Sequence, residues 1–222
     1  LFALVSIVSY SQISWNAKVG MNMSNFTGDM DTDMRIGFNV GVGMEYQFSD
    51  MWSIQPSLMF TQKGAKQDEV KMNPMYLEIP VLAAARFAIA DNQNIVVKAG
   101  PYFAFGIAGK CKIGDEKIDF FGDGDDQFGA KRFDAGLGVG VAYEINKFFI
   151  DLSGEFGLAK LADGDGAPKN MNFSIGVGYK FYYTLFIISL KSLVLYSLGT
   201  GDFFISLLIK RKTAYPIERI HR

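Results

Sequence analysis

Ile36-Gly-Phe-Asn-Val-Gly-Val-Gly-Met-Glu-Tyr-Gln-Phe48 carries an apolar side chain at every second position. Glycine, Asn39, Glu45 and Gln47 fill the places between. A period of two belongs to a β-strand with one apolar and one polar face. The beat returns in Phe133-Ala135-Leu137-Val139-Val141-Tyr143-Ile145, in Phe148-Ile150-Leu152 and in Met171-Phe173-Ile175-Val177-Tyr179-Phe181. These runs exceed the usual globular strand of about five or six residues. They suit tilted strands that cross a bilayer in a closed barrel.

Composition narrows the function classes. The chain is 49% hydrophobic with only 6 Pro, which argues against disorder. Its net charge of −1 gives no global field toward nucleic acid. A lone Cys111 makes neither an intrachain disulfide nor a cysteine metal cluster. The lone His221 lies at the end of the chain, which argues against histidine-based catalysis within its body.

The pattern predicts an all-β protein of eight strands, an up-and-down antiparallel transmembrane barrel. The strands run over 13–24, 35–48, 51–63, 75–88, 94–109, 131–146, 147–160 and 170–181. Ser49-Asp50, Ala90–Gln93 and Asn146-Lys147 read as tight turns. Asn25–Met34, Gly64–Pro74, Lys110–Ala130 and Leu161–Lys169 read as long polar loops. Short turns at one end and long loops at the other match outer-membrane barrels, with the turns periplasmic.

Aromatic placement is an independent signal. Trp15, Tyr46, Phe48, Trp52, Phe87, Tyr143, Phe148, Tyr179 and Phe181 fall near the periplasmic rim, and Phe60, Phe133, Phe156 and Phe173 near the outer one. Two aromatic girdles mark the two membrane interfaces. The opposite parity collects Lys18, Arg35, Glu45, Glu78, Arg86, Lys98, Asp134, Glu144, Asp151, Glu155 and Lys180. On a soluble sandwich these would be surface charges. In an eight-stranded barrel they point into a narrow lumen and survive there as paired networks. Inward glycines such as Gly41, Gly138, Gly140 and Gly176 leave room for them.

Phe38–Asp50 leads into Trp52–Gly64, followed by Tyr76-Leu-Glu-Ile-Pro-Val-Leu82, Ala99-Gly-Pro-Tyr102 and Gly176-Val-Gly-Tyr-Lys-Phe181. In that order the motifs resemble the PorT-like outer membrane protein beta-barrel family of Gram-negative bacteria, small barrels of the OmpA/OmpX type. The resemblance implies an outer-membrane location and contact with outer-membrane lipid. It also implies insertion by the barrel-assembly machinery, which reads a terminal aromatic residue. It implies no single activity and supplies no catalytic residue.

The ends depart from the barrel pattern. Residues 1–11 read as the remnant of a signal peptide, with Ser9 and Ser11 as the small residues before cleavage, or else as a buried first strand. The barrel is then 12–181. Residues 182–222 form an apolar and basic tail in which alternation stops, and they read as lying outside the barrel. An extra strand pair or a membrane anchor is the competing account.

No other motif carries chemistry. Gly136-x-Gly138-x-Gly140 lies inside a strand with no helix after it, so it is no dinucleotide loop. Asp29-x-Asp31-x-Asp33 lacks the glycine and glutamate of a calcium loop. The expectation is a monomeric, non-enzymatic barrel with no cofactor, no metal and no nucleic acid. Its interior is plugged and its extracellular loops are open to a partner. A narrow passive pore and a soluble lipocalin-like carrier are the alternatives.

Overall fold

The computed structural model describes residues 13–28, 32–67, 70–114, 116–122 and 127–182. The signal-peptide reading of residues 1–11 and nearly all of the tail lie outside them. The described strands are β1 (Ile13–Thr27), β2 (Asp33–Gln47), β3 (Trp52–Gln62), β4 (Ala65–Gln67), β5 (Val70–Ala90) and β6 (Gln93–Ile113). They continue with β7 (Glu116–Phe121), β8 (Gln127–Ala130), β9 (Phe133–Ile145), β10 (Phe148–Gly157) and β11 (Lys169–Tyr182).

All belong to one sheet. Eight of them form a ring in the order β1, β2, β3, β5, β6, β9, β10, β11, and β11 closes on β1. Neighbours in the ring whose registers are resolved run antiparallel. The ring joins every strand edge to another, which satisfies backbone groups where no water can.

The faces follow the parity of the sequence. Val139 is 48% and Val177 54% exposed on the outside, while Asp134 and Asp151 are 0% exposed within. That polarity is the reverse of a soluble carrier, which would turn its apolar face inward. At the short-turn end, Asn92 and Asn146 adopt left-handed φ of 57° and 54°. Asparagine tolerates this region better than most residues, so it suits the tight turns joining β5 to β6 and β9 to β10.

The outer end differs from the sequence reading. Gly64–Pro74 and Lys110–Ala130 were expected as polar loops. Instead β5 and β6 continue beyond the wall, and β4, β7 and β8 pair alongside them. The result is an apron of short strands at the long-loop end of the ring. A bulge marks its base: Met75 pairs with Ala108 and Tyr76 with Gly106, so Ile107 is the extra residue in β6. A one-residue slip exchanges the two faces of a strand. Cys111 therefore points inward and is buried, whereas parity counted from residue 94 would turn it outward.

Candidate functional site

Side chains from every strand of the ring converge in the lumen. The register first makes space for them. Lys18 sits opposite Gly41, Lys98 opposite Gly140, Asp151 opposite Gly176 and Glu155 opposite Gly138. A Cβ on Gly176 would stand 2.8 Å from Lys18 Cε, and one on Gly140 would stand 3.1 Å from Lys98 Cε. A long charged side chain is thus laid across a residue with none.

The ionic groups form three tiers. Nearest the short-turn end, Arg86 Nη2 contacts Glu45 Oε1 at 2.8 Å and Glu144 Oε2 at 3.2 Å. Lys180 bridges the same two carboxylates, with Glu45 Oε2 at 2.8 Å. Ser53 Oγ and Gln55 Nε2 donate to Glu45 Oε1 at 2.8 and 3.0 Å. In the second tier Asp151 lies between Lys18 and Lys98, the latter at 2.5 Å.

The third tier surrounds a residue the sequence reading passed over. Lys63 is 1% exposed. Its Nζ lies 2.6 Å from Glu78 Oε2, 3.0 Å from Glu155 Oε2 and 3.8 Å from Asp134 Oδ2. It also stands over the ring of Tyr102, 4.4 Å from the centroid. Asn172 Nδ2 donates to Glu155 at 3.0 Å, and Asn170 Nδ2 donates to Asp134 at 2.8 Å. Tyr102 Oη donates to the same Asp134 oxygen at 3.2 Å.

Arg35 stands apart from these tiers. Its Nη1 donates to the Met72 carbonyl at 3.0 Å, and among the described residues it makes no ion pair. Lys63 occupies the role the sequence reading gave to Arg35. It follows β3 directly and keeps that strand's inward parity, but it precedes Gly64, where the beat breaks.

Above the ionic tiers the lumen turns apolar. Phe26, Met72, Tyr76, Cys111, Phe120 and Phe121 belong to one buried cluster. Phe120 stacks on Phe26 at 6.2 Å and meets Phe121 edge-on at 5.0 Å. Phe121 meets Tyr76 edge-on at 5.5 Å. Gly106 lies where a Cβ would strike the Phe121 ring, so this glycine admits the plug. A small void of about 80 Å³, lined by residues including Lys18, Lys98 and Asp151, remains inside. It has room for a few waters.

On the outside, Phe48, Trp52, Phe148 and Tyr179 are exposed at the short-turn end. Trp15, Tyr46, Tyr143 and Phe181 are half-exposed there. Phe148 and Tyr179 pair edge-on at 5.1 Å, directly opposite in register. Near the outer rim Phe156 and Phe173 also meet edge-on, at 5.9 Å, but diagonally, since Phe173 lies opposite Gly154.

Among solved structures, the chain is similar to the attachment invasion locus protein Ail of Yersinia pestis. The identity is 18%, over 76% of this chain and 98% of that one, with a TM-score of 0.42. Neisserial surface protein A matches at 12% identity over 77% and 97%, with a TM-score of 0.46. The N-terminal barrel domain of Pseudomonas aeruginosa OprF matches at 15% over 75% and 97%, with a TM-score of 0.39. No curated protein sequence matches. The sequence model of the outer membrane protein beta-barrel domain matches residues 9–163. The chain belongs to that family, and it is an integral β-barrel protein of the bacterial outer membrane.

Proposed function

We propose that the protein is a closed structural barrel whose wall anchors an extracellular apron for contacts outside the cell. It is neither an open channel nor an enzyme. The observation that carries this reading is the lumen itself. Three ionic tiers and an aromatic plug fill it in series, leaving a void of about 80 Å³. A hydrated solute would have to separate buried ion pairs at every level, and each separation costs several kcal/mol. The ordered motifs from Phe38 to Phe181 support placing the chain with PorT-like members of its family. The buried carboxylates are held by cations and amides, which favours a structural role for them over a catalytic one.

Planar-bilayer recording of the refolded full chain tests the reading. The expected trace shows no large steady conductance. Stable openings that persist after exhaustive removal of detergent would establish the narrow-pore alternative instead. The void among Lys18, Lys98 and Asp151 is the physical foothold for that alternative among the described residues.

A further inference from the structure

The apron carries an unusual row. Lys66 on β4 pairs with Lys71 on β5, Lys71 with Lys112 on β6, and Lys112 with Lys117 on β7. Four lysines therefore lie directly opposite one another across four consecutive strands. The neighbouring row is Ala65, Met72, Cys111 and Ile118, which faces the buried cluster in the mouth. Alternation turns the lysine row to the other side, toward the surroundings of the barrel wall.

Like charges directly opposite in a sheet repel. Among the described residues none of the four makes an ion pair, whereas Lys110, in the next row of the same face toward the wall, is held by Asp119 at 2.5 Å. The acidic residues Asp68, Glu69 and Asp115 fall by sequence in the connections beyond the row, outside the described residues. Below the row lies a cleft of about 630 Å³. Five cationic side chains line it against the single carboxylate of Asp119. Met75 and Ile107, at the top of the apolar wall, line it too.

We propose that this row binds the phosphates of a phosphorylated glycolipid in the outer leaflet. The place fits, because the row lies on the outward face of the apron, one row past Asn73, Lys110 and Asp119, which follow the top of the apolar wall. That is the level of lipid headgroups. The length fits as well. Three strand spacings of about 4.8 Å give a row of roughly 14 Å. A disaccharide headgroup carrying a phosphate at each end has a comparable reach. Lysine supplies the point charge that phosphate takes without demanding a fixed geometry. The acyl chains of the same lipid would lie against Met75, Ile107 and the wall below. This inference rests on the family's outer-membrane setting and not on the closed lumen, so the two readings fail separately.

The test uses the full chain in phosphatidylcholine nanodiscs doped with fluorescent bisphosphorylated lipid A. Lipid retained by the protein is read as the fluorescence that stays with the affinity-captured barrel after transfer to detergent. The quadruple variant K66Q/K71Q/K112Q/K117Q should lose retention by about tenfold or more, since the four point charges that meet the phosphates are gone. A control variant, K131Q/K160Q, alters lysines that ion-pair in another loop and should retain the lipid as the parent does. Fully dephosphorylated lipid A should be held weakly and equally by all three proteins. Heat-modifiable gel mobility establishes that each variant is folded. Equal retention by the quadruple variant would overturn the proposal, because it would mean that carboxylates at the strand tips already neutralise the row. Competition by millimolar inorganic phosphate as effective as by the lipid would overturn it too, leaving a site for soluble anions.

Discussion

At the periplasmic end of the lumen two cations face two carboxylates, whereas at the outer end one cation faces three. Arg86 and Lys180 each touch both Glu45 and Glu144. Removal of either cation leaves both acids with a partner. Lys63 alone serves Glu78, Glu155 and Asp134. The inner closure is redundant and the outer one hangs on a single side chain. Neutral donors do not distinguish the two, since Ser53 and Gln55 support the inner tier and Asn170, Asn172 and Tyr102 the outer one. The surroundings complete the difference. The outer tier lies beneath an aromatic plug, and its Lys63 is 1% exposed, so an unpaired charge there is costly.

Replacing Lys63 should produce the largest effect. Lys63→Met leaves three buried carboxylates without a cation, and a broken buried pair costs about 3–5 kcal/mol. Urea unfolding in lipid vesicles, followed by gel mobility, should show a loss of that size. Adding Asp134→Asn to that variant should recover part of it, since one of the stranded charges is removed. A Lys63→Met protein as stable as the parent would break the contrast between the two ends.

The lipid-facing wall gives a scale independent of both tiers. Val139→Arg places a charge on the outward face, at a cost of about 2–4 kcal/mol near the bilayer midplane. The same unfolding measurement should detect it in vesicles. Folding unaffected by this change would mean that the outward and inward faces have been assigned the wrong way round.

Lys180→Met should cost least, about 1–2 kcal/mol, because Arg86 still holds Glu45 and Glu144. The double variant Arg86→Met/Lys180→Met should cost much more than twice that amount. Simple additivity in this cycle would show that the two cations do not substitute for one another.

The ring was legible from residues 13–181 because a strand with one lipid-facing and one lumen-facing side enforces period-two alternation along the wall. Each inward charge in the three tiers except Lys63 followed from that parity. Lys63 was missed because it is the last residue with β3's parity before Gly64 interrupts the pattern. The plug was missed for another reason. Phe120 and Phe121 sit within a stretch rich in lysine, aspartate and glycine, and what buries them is the fold-back of β7 onto the mouth. No local period records such a docking. The bulge at Ile107 hid the inward turn of Cys111 in the same way, since one extra residue reverses the faces of everything after it.

The closure of β11 on β1 has a kinetic consequence. Lys18 on β1 reaches Asp151 on β10, and Lys180 on β11 reaches Glu45 on β2. Both contacts span the seam where the first and last strands of the ring meet, so neither can form while the sheet is still open. The two inner tiers are completed only at the last step of insertion. Contacts made after the rate-limiting rearrangement slow the reverse reaction and leave the forward one nearly unchanged. These ion pairs therefore lengthen the lifetime of the inserted barrel without hastening its assembly.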